Sequence, residues 1–491
     1  MNKKAKIALK DHFDENIAFD KATRFLYSRD VGSLPRLISL LIKHVPDAVF
    51  LPKNENDIVQ LYQIAREHKI PVIPRGSGSS GYGGALAYRG GIMIDLSAMR
   101  EVEKISQETM TVIAGAGITF ASLESKLGLK GLALRSYPSS APSATLGGWF
   151  AQGGSGIGTL QYGSFQDQVL SLRLIQPNGE IKDLSQGRIA QHYELEGTTG
   201  IFSRLTIKTR QAIPIIPILG TYKSIKQVLN SINTIIQKTT PFTIIIGTPS
   251  FLRLRQEATG DSILPNDSYY ALIAVEASDE VSSSLLTKSI ESSGGNVEHE
   301  DNADHEWKER FYPMRLKRLG PGIILGESYL PLNQIDNYLE TINQRFRRDE
   351  PSSEVILISK KEAAVLTYFL DDDRRFTGMF AWSKAFQILK LAEKLGGRPY
   401  STGLWLSGRS KQYFGSNRLS EIKKLRKSSD PCGISNPGKI TGGKTRVFPL
   451  IPISVLLKLA SPFMRMGNSI FRYKRKKTHP PASWHGRKTL G

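Results

Sequence analysis

The chain of 491 residues contains a single cysteine, Cys432. One thiol builds no disulfide framework, zinc cluster or iron–sulfur cluster, so any iron–sulfur relay has to reside on another protein. Histidine is scarce as well: between residues 213 and 478 only His299 and His305 occur. The tail lacks an apolar run that could span a bilayer. Its longest uncharged run is eleven residues, Val447 to Leu457, whereas a spanning helix needs about twenty. Acidic residues vanish altogether from Lys439 onward, a stretch with twelve Lys or Arg that carries more than half of the net charge of +21. A basic tail attracts nucleic acid or an anionic membrane. No zinc-finger, helix-turn-helix or RNA-binding signature accompanies it, so nucleic acid is not expected. The lysines at positions 3, 4 and 6 precede charged residues rather than an apolar signal core. The expectation is a cytoplasmic protein, or one peripheral on the inner face of a membrane.

What is present is an ordinary globular balance, 40% hydrophobic and 23% charged, in a length that suits roughly three domains or fewer. The apolar run Pro71-Val72-Ile73-Pro74 ends in Arg75-Gly76-Ser77-Gly78-Ser79-Ser80-Gly81. Glycines let a backbone approach a ligand closely, and consecutive free N–H groups form an anion-binding concavity. Gly76, Gly78 and Gly81 spell a dinucleotide fingerprint, with Asp95 at the expected distance. That reading fails, because the third glycine must open a helix and Gly81-Tyr82-Gly83-Gly84 leads into Arg89-Gly90-Gly91, poor helix material.

A second glycine-rich stretch spans residues 138–163 and includes Pro138, Ser143, Ala144, Thr145, Gly147, Gly148, Gly153, Gly154 and Tyr162. It is too long and glycine-rich for a mere connection. Gly197-Thr198-Thr199-Gly200-Ile201 follows, and Asn436-Pro437-Gly438 comes near the end. This ordered set resembles the vanillyl-alcohol-oxidase/PCMH superfamily of FAD-linked oxidases and dehydrogenases, including glycolate and D-lactate dehydrogenases. The resemblance implies an α+β fold: a PCMH-type FAD-binding domain of two subdomains and a second α+β substrate or cap domain. It implies FAD contacts from Arg75, Gly76, Ser77, Gly78, Ser79, Ser80, Pro138, Ser143, Ala144, Thr145, Gly147, Gly148, Gly153, Gly154, Tyr162, Gly200, Ile201 and Asn436. Many relatives attach flavin through a histidine in the first loop. Ser79 stands at the matching position, so the expected FAD is non-covalent.

The expected organisation is an N-terminal arm at 1–26, the FAD-binding domain at 27–212, the cap domain at 213–429, a return to the FAD domain at 430–444 and a basic amphipathic tail at 445–491. Pro214 and Pro217 mark the boundary between the two domains. On the catalytic side the sequence departs from glycolate- and D-lactate-type relatives. Leu404 and Trp405 stand where their second motif has Glu and His, and their first histidine motif is missing, so no metal site is expected. The polar or aromatic candidates left are Tyr312, Arg315, Lys317, Glu327, Tyr329 and Trp405. The expected catalytic set is Arg315, Lys317, Tyr329 and Trp405: Arg315 or Lys317 could clamp a substrate carboxylate, and a tyrosine could assist proton removal.

The implied activity is hydride transfer from a small hydroxy-acid or alcohol substrate to flavin N5, with electrons passing to a quinone, an iron–sulfur protein or another partner. The alternative is a flavin-binding electron-transfer or assembly subunit with no substrate of its own. In the tail, an apolar segment followed by a basic cluster reads either as an interfacial anchor or as a helix docked on protein. Prolines 449, 452 and 462 are expected to prevent one continuous helix.

Overall fold

Asn54 opens the helix Glu55–Glu67 by accepting a hydrogen bond from the Asp57 amide at 3.0 Å. Ile58, Leu61 and Ala65 repeat at helical spacing and are buried. They pack on a four-stranded sheet ordered Ile17–Ala18, Ala48–Phe50, Ile92–Asp95, Val72–Arg75. Its last three strands run parallel and the first antiparallel. The N-terminal arm is therefore an integral part of this sheet. Helix Lys3–Phe13 buries Ala5, Leu9 and Phe13 in the same core. The structure is a computed structural model. It describes every residue except Ser33, Pro35, Ser262, 278–282, Tyr312, Pro321, Asp373, 376–377, 443–452 and 471–491.

A second, antiparallel sheet runs Val102–Ser106, Thr111–Gly115, Ile201–Gln211, Val169–Ile175, Ile181–Ser185, with Leu132–Leu134 against the far end of its longest strand. The stretch at 138–163 is not all loop. It contains the helix Leu146–Gln152, capped by Thr145, whose hydroxyl accepts from the Gly148 amide at 3.3 Å.

The cap is an eight-stranded antiparallel sheet, ordered Asn296–Val297, Ile215–Tyr222, Tyr269–Glu276, Thr243–Gly247, Ser352–Leu357, Glu362–Asp371, Gly322–Pro331, Arg398–Pro399. Period-two alternation divides its side chains. Ile244 and Ile246 share a core with helices such as Ile225–Lys238 and Ile335–Arg345. Ile245, Leu272 and Ile356 join the core of the second sheet, with Val112, Leu172 and Leu205. The cap and the FAD-side sheet thus bury one face against each other. The sequence boundary at Pro214 to Pro217 overlaps the start of the strand Ile215–Tyr222. Pro217 is tolerated there because that strand's outer neighbour pairs only at Gly220 and Thr221.

In the tail, helix Ile453–Ile470 packs on helix Gly378–Lys394 and runs on through Pro462. Met464 is buried in the cap core, and Gly467 lies against the Phe380 ring. This packing outweighs the cost of about 3 kcal/mol that an interior proline imposes, so the expected break at Pro462 does not occur. Prolines 449 and 452 lie outside the described residues. Among the described residues no helix is long and apolar enough to cross a membrane.

Candidate active site

The strand Val72–Arg75 delivers the first glycine-rich loop to the mouth of a cleft. Gly78 sits at φ +69°, a conformation that L side chains rarely adopt. The amides of Gly76 through Gly81 donate to no acceptor among the described residues. Gly76 touches the Thr145 side chain so closely that a Cβ would collide with it, which joins the two glycine-rich stretches. Gly147 is held equally tightly, since a Cβ there would stand 2.6 Å from that of Ala116.

The segment 434–436 closes the floor. Val72 donates to the Ile434 carbonyl and receives the Asn436 amide, both at 2.8 Å. The Asn436 side-chain amide donates to the carbonyls of Gly84 at 3.0 Å and Glu196 at 2.6 Å. Its Oδ1 is buried without a hydrogen-bond partner, and Asn436 is among the residues that line the cleft.

The cleft encloses about 1270 Å³, part of it open to solvent. Strands of the cap roof it: Leu325 and Glu327 from one, Ile356 from a second, Ala364 and Leu366 from a third. Two carboxyls stand in its wall. Burial pushes Glu196 up to about 7 against the pull of Lys439, while its Oε1 accepts from Ser401 at 3.2 Å and the Gly403 amide at 3.1 Å. Enclosure pushes Glu327 up to about 7 as well, against the pull of the Tyr82 hydroxyl. That hydroxyl accepts the Glu327 amide at 3.0 Å. Tyr400 completes this end, its hydroxyl donating to the Ser155 carbonyl at 2.9 Å.

Of the residues expected around the cofactor, Arg75, Gly76, Ser77, Gly78, Ser79, Ser80, Pro138, Ala144, Thr145, Gly147, Gly148, Gly200, Ile201 and Asn436 line the cleft. Ser143, Gly153, Gly154 and Tyr162 do not. Ser143 donates to the Ser140 carbonyl, and the Gly153 and Gly154 amides go to Trp149 and Tyr193. The Tyr162 hydroxyl turns away to Glu276 at 2.9 Å.

The expected catalytic set is dispersed. Arg315 pairs with Glu309 beside a separate small void, and Lys317 donates to the Val31 carbonyl at 2.7 Å. Neither lines the cleft, so the proposed carboxylate clamp is not assembled. The cause is local ion pairing and backbone capture within the basic run. Tyr329 is buried behind Tyr400, with ring centroids 5.0 Å apart and the Arg398 guanidinium 4.0 Å above its ring. Trp405 lines an adjoining chamber instead. Tyr312 lies outside the described residues. Glu327, a candidate in the sequence that was given no role in the expected catalytic set, is the one that lines the cleft, and a lone carboxylate in the apolar strand Gly322–Pro331 was a usable signal for it. Among the described residues no three His, Cys, Asp or Glu gather as metal ligands would.

Residues 46–185 match the family described as FAD binding domain, and residues 218–440 the family described as FAD linked oxidases, C-terminal domain. The chain belongs to the PCMH-type FAD-binding oxidase superfamily. It is an FAD-linked oxidoreductase with an FAD cofactor site. It is 26% identical over 468 residues to the glycolate oxidase subunit GlcD of Bacillus subtilis, covering 87% of this chain and 94% of that one. It is 32% identical over 215 residues to the mitochondrial D-lactate dehydrogenase [cytochrome] of Arabidopsis thaliana. That match covers 42% of this chain but only 36% of the relative. Among solved structures, p-cresol methylhydroxylase superposes with a TM-score of 0.76 over 90% of this chain and 98% of its own, at 15% identity. This is a likeness of fold. The cleft fits the cofactor on its own terms: the row of amides from Gly76 to Gly81, which donate to no acceptor among the described residues, suits a pyrophosphate.

Proposed function

We propose that this protein is a dehydrogenase or oxidase acting on the CH–OH group of an alcohol- or hydroxy-acid-type substrate, with electrons passing to a quinone or a protein partner. The observation that carries the reading is the Glu327 carboxyl on the cap side of the cleft, poised near neutrality beside Tyr82. When bound, FAD supplies the oxidant, taking up the hydride that the carbinol carbon gives up as C–O becomes C=O. Glu327 takes the hydroxyl proton, and a carboxyl that titrates near 7 is matched to that task. Tyr82 holds the carboxyl through its strand, and the apolar roof of Leu325, Ile356 and Leu366 excludes water. The names of the relatives, a glycolate oxidase subunit and a D-lactate dehydrogenase, support a CH–OH substrate. The test is anaerobic bleaching of the flavin absorbance by a panel of alcohols and 2-hydroxy acids. A flavin that none of them reduces would favour the subunit without its own substrate.

The cofactor is expected to be held non-covalently, because Ser79 cannot form the histidyl link. Acid precipitation of the holoprotein is expected to release the yellow colour into the supernatant. Colour retained in the pellet would refute the assignment.

The reading extends to location. Leu459, Phe463, Met466 and Ile470 are exposed at helical spacing on Ile453–Ile470, with Leu459 and Phe463 each 69% exposed. The basic cluster that follows, Arg472 and Lys474 to Lys477, lies outside the described residues. We propose that this stripe and cluster rest on an anionic membrane surface. Each cation adds about 1 kcal/mol near such a surface, screened over about 8 Å at physiological salt. Full-length protein is expected to sediment with vesicles containing phosphatidylserine, to release as salt rises, and to lose affinity in L459S/F463S. Equal binding to neutral vesicles, or none to either, would point to a protein partner.

A further inference from the structure

A second chamber adjoins the cofactor cleft and has no role in the account so far. Gly81, Leu325 and Glu327 line both spaces. The chamber encloses about 640 Å³, part of it open to solvent. Its far wall is Trp382, Phe386 and Leu389 from helix Gly378–Lys394, with Trp405 and Leu406 from the loop that follows strand Arg398–Pro399. The two indoles meet edge to face at 5.0 Å, which holds the wall rigid. No Lys, Arg or His is among the described residues that line the chamber.

The cleft offers a substrate no better cation. Arg75, the one Lys, Arg or His in its described lining, donates to the Arg29 carbonyl at 2.9 Å, lies over the Tyr27 ring and belongs to the cofactor loop. A free carboxylate seated beside Glu327 would lose its hydration, gain no counter-charge and face a second carboxyl. An apolar group in the chamber meets aromatic and aliphatic walls and gains by leaving water.

We propose that the substrate is a neutral alcohol bearing an extended apolar group, which the chamber receives while the hydroxyl stays at the junction beside Glu327. This rests on the oxidoreductase reading and names its substrate class. Trp405 and Leu406 supply the part of that apolar wall which the loop contributes.

The experiment measures binding and flavin reduction separately on the FAD-loaded, full-length protein. The probes are 1-octanol, cinnamyl alcohol, 2-hydroxyoctanoate and lactate. Binding is read from quenching of tryptophan fluorescence and from shifts of the flavin spectrum without turnover. The two alcohols are expected to bind about tenfold or more tighter than 2-hydroxyoctanoate. Filling the chamber with A385F is expected to weaken alcohol binding about tenfold, at unchanged FAD content. W405L, which removes wall area without adding bulk, serves as the second variant and is expected to weaken it too. Carboxylates that bind as tightly as the alcohols, or alcohol binding that survives both variants, would overturn the proposal. Hydroxy acids that bind and bleach the flavin would uphold the oxidoreductase reading and sink this one. Alcohols that bind in the chamber without reducing the flavin would show an apolar binding site there and overturn the assignment of the substrate.

Discussion

Replacement of Glu327 by Gln is expected to lower turnover by about 10²- to 10⁴-fold, the usual contribution of a positioned general base. FAD content is expected to stay at the wild-type level, since Glu327 belongs to the cap and the cofactor loops to the other domain. In the wild type, the carboxyl must be ionised to take a proton, so kcat/KM rises with pH to a plateau above about 7. E327Q is expected to lose that rise. Stability moves the other way. A carboxyl whose folded pKa stands above its unfolded value stabilises the fold fully at low pH and ceases to as pH rises through the folded value. E327Q should therefore gain stability relative to the wild type between about pH 4.5 and 7. Unchanged kcat/KM with an unchanged pH profile would remove Glu327 from the mechanism.

The largest expected effect on stability lies far from the cofactor. Arg255, on helix Pro249–Thr259, reaches Glu306 at 2.5 Å with both side chains buried. Glu354, on the cap strand Ser352–Leu357, is pushed up to about 8 by burial, with Arg255 restraining the rise. Its Oε2 has no hydrogen-bond partner. R255L leaves Glu306 without its buried ion-pair partner and is expected to cost about 3–5 kcal/mol. The share of the loss that Glu354 carries should appear as pH rises past about 8, where the wild-type carboxyl ionises beside Arg255 and the variant's stays protonated. The double variant R255L/E306L replaces the pair by apolar groups and is expected to recover much of the loss. Urea midpoints across pH read both effects. A double variant no more stable than R255L would show that packing, not uncompensated charge, sets the cost.

These two residues also mark where the sequence could and could not be read. The glycine-rich loops were legible because close backbone approach leaves glycine little competition, as Gly76 against Thr145 and Gly147 against Ala116 now make concrete. Helices with a single apolar face, such as Ile225–Lys238, and strands rich in isoleucine, such as Thr243–Gly247, were legible from their periods. Helix Leu146–Gln152 was hidden, because two glycines lower local helix propensity and only the Thr145 cap and the packing of Trp149 and Phe150 restore it. Helices Pro249–Thr259 and Glu300–Lys308 and strand Glu362–Asp371 went unread. The first two meet across the Arg255–Glu306 pair, a contact that no local pattern announces. Charge misled most at Arg315 and Lys317. A dense basic run looks like a clamp in one dimension, but in three its members are taken up by Glu309, Val31 and the ring of Trp307, 3.8 Å beneath Arg310.

The floor of the cleft has a temporal meaning. Val72 is made long before Ile434 and Asn436, whose carbonyl and amide bond to it. At about 5–20 residues per second, the nascent cradle waits roughly 20–70 s for its last wall. Throughout that interval the sheet edge at Val72 is open and the pyrophosphate loop has no floor. The floor that Val72 shares with Ile434 and Asn436 is therefore complete only once residue 436 has been made.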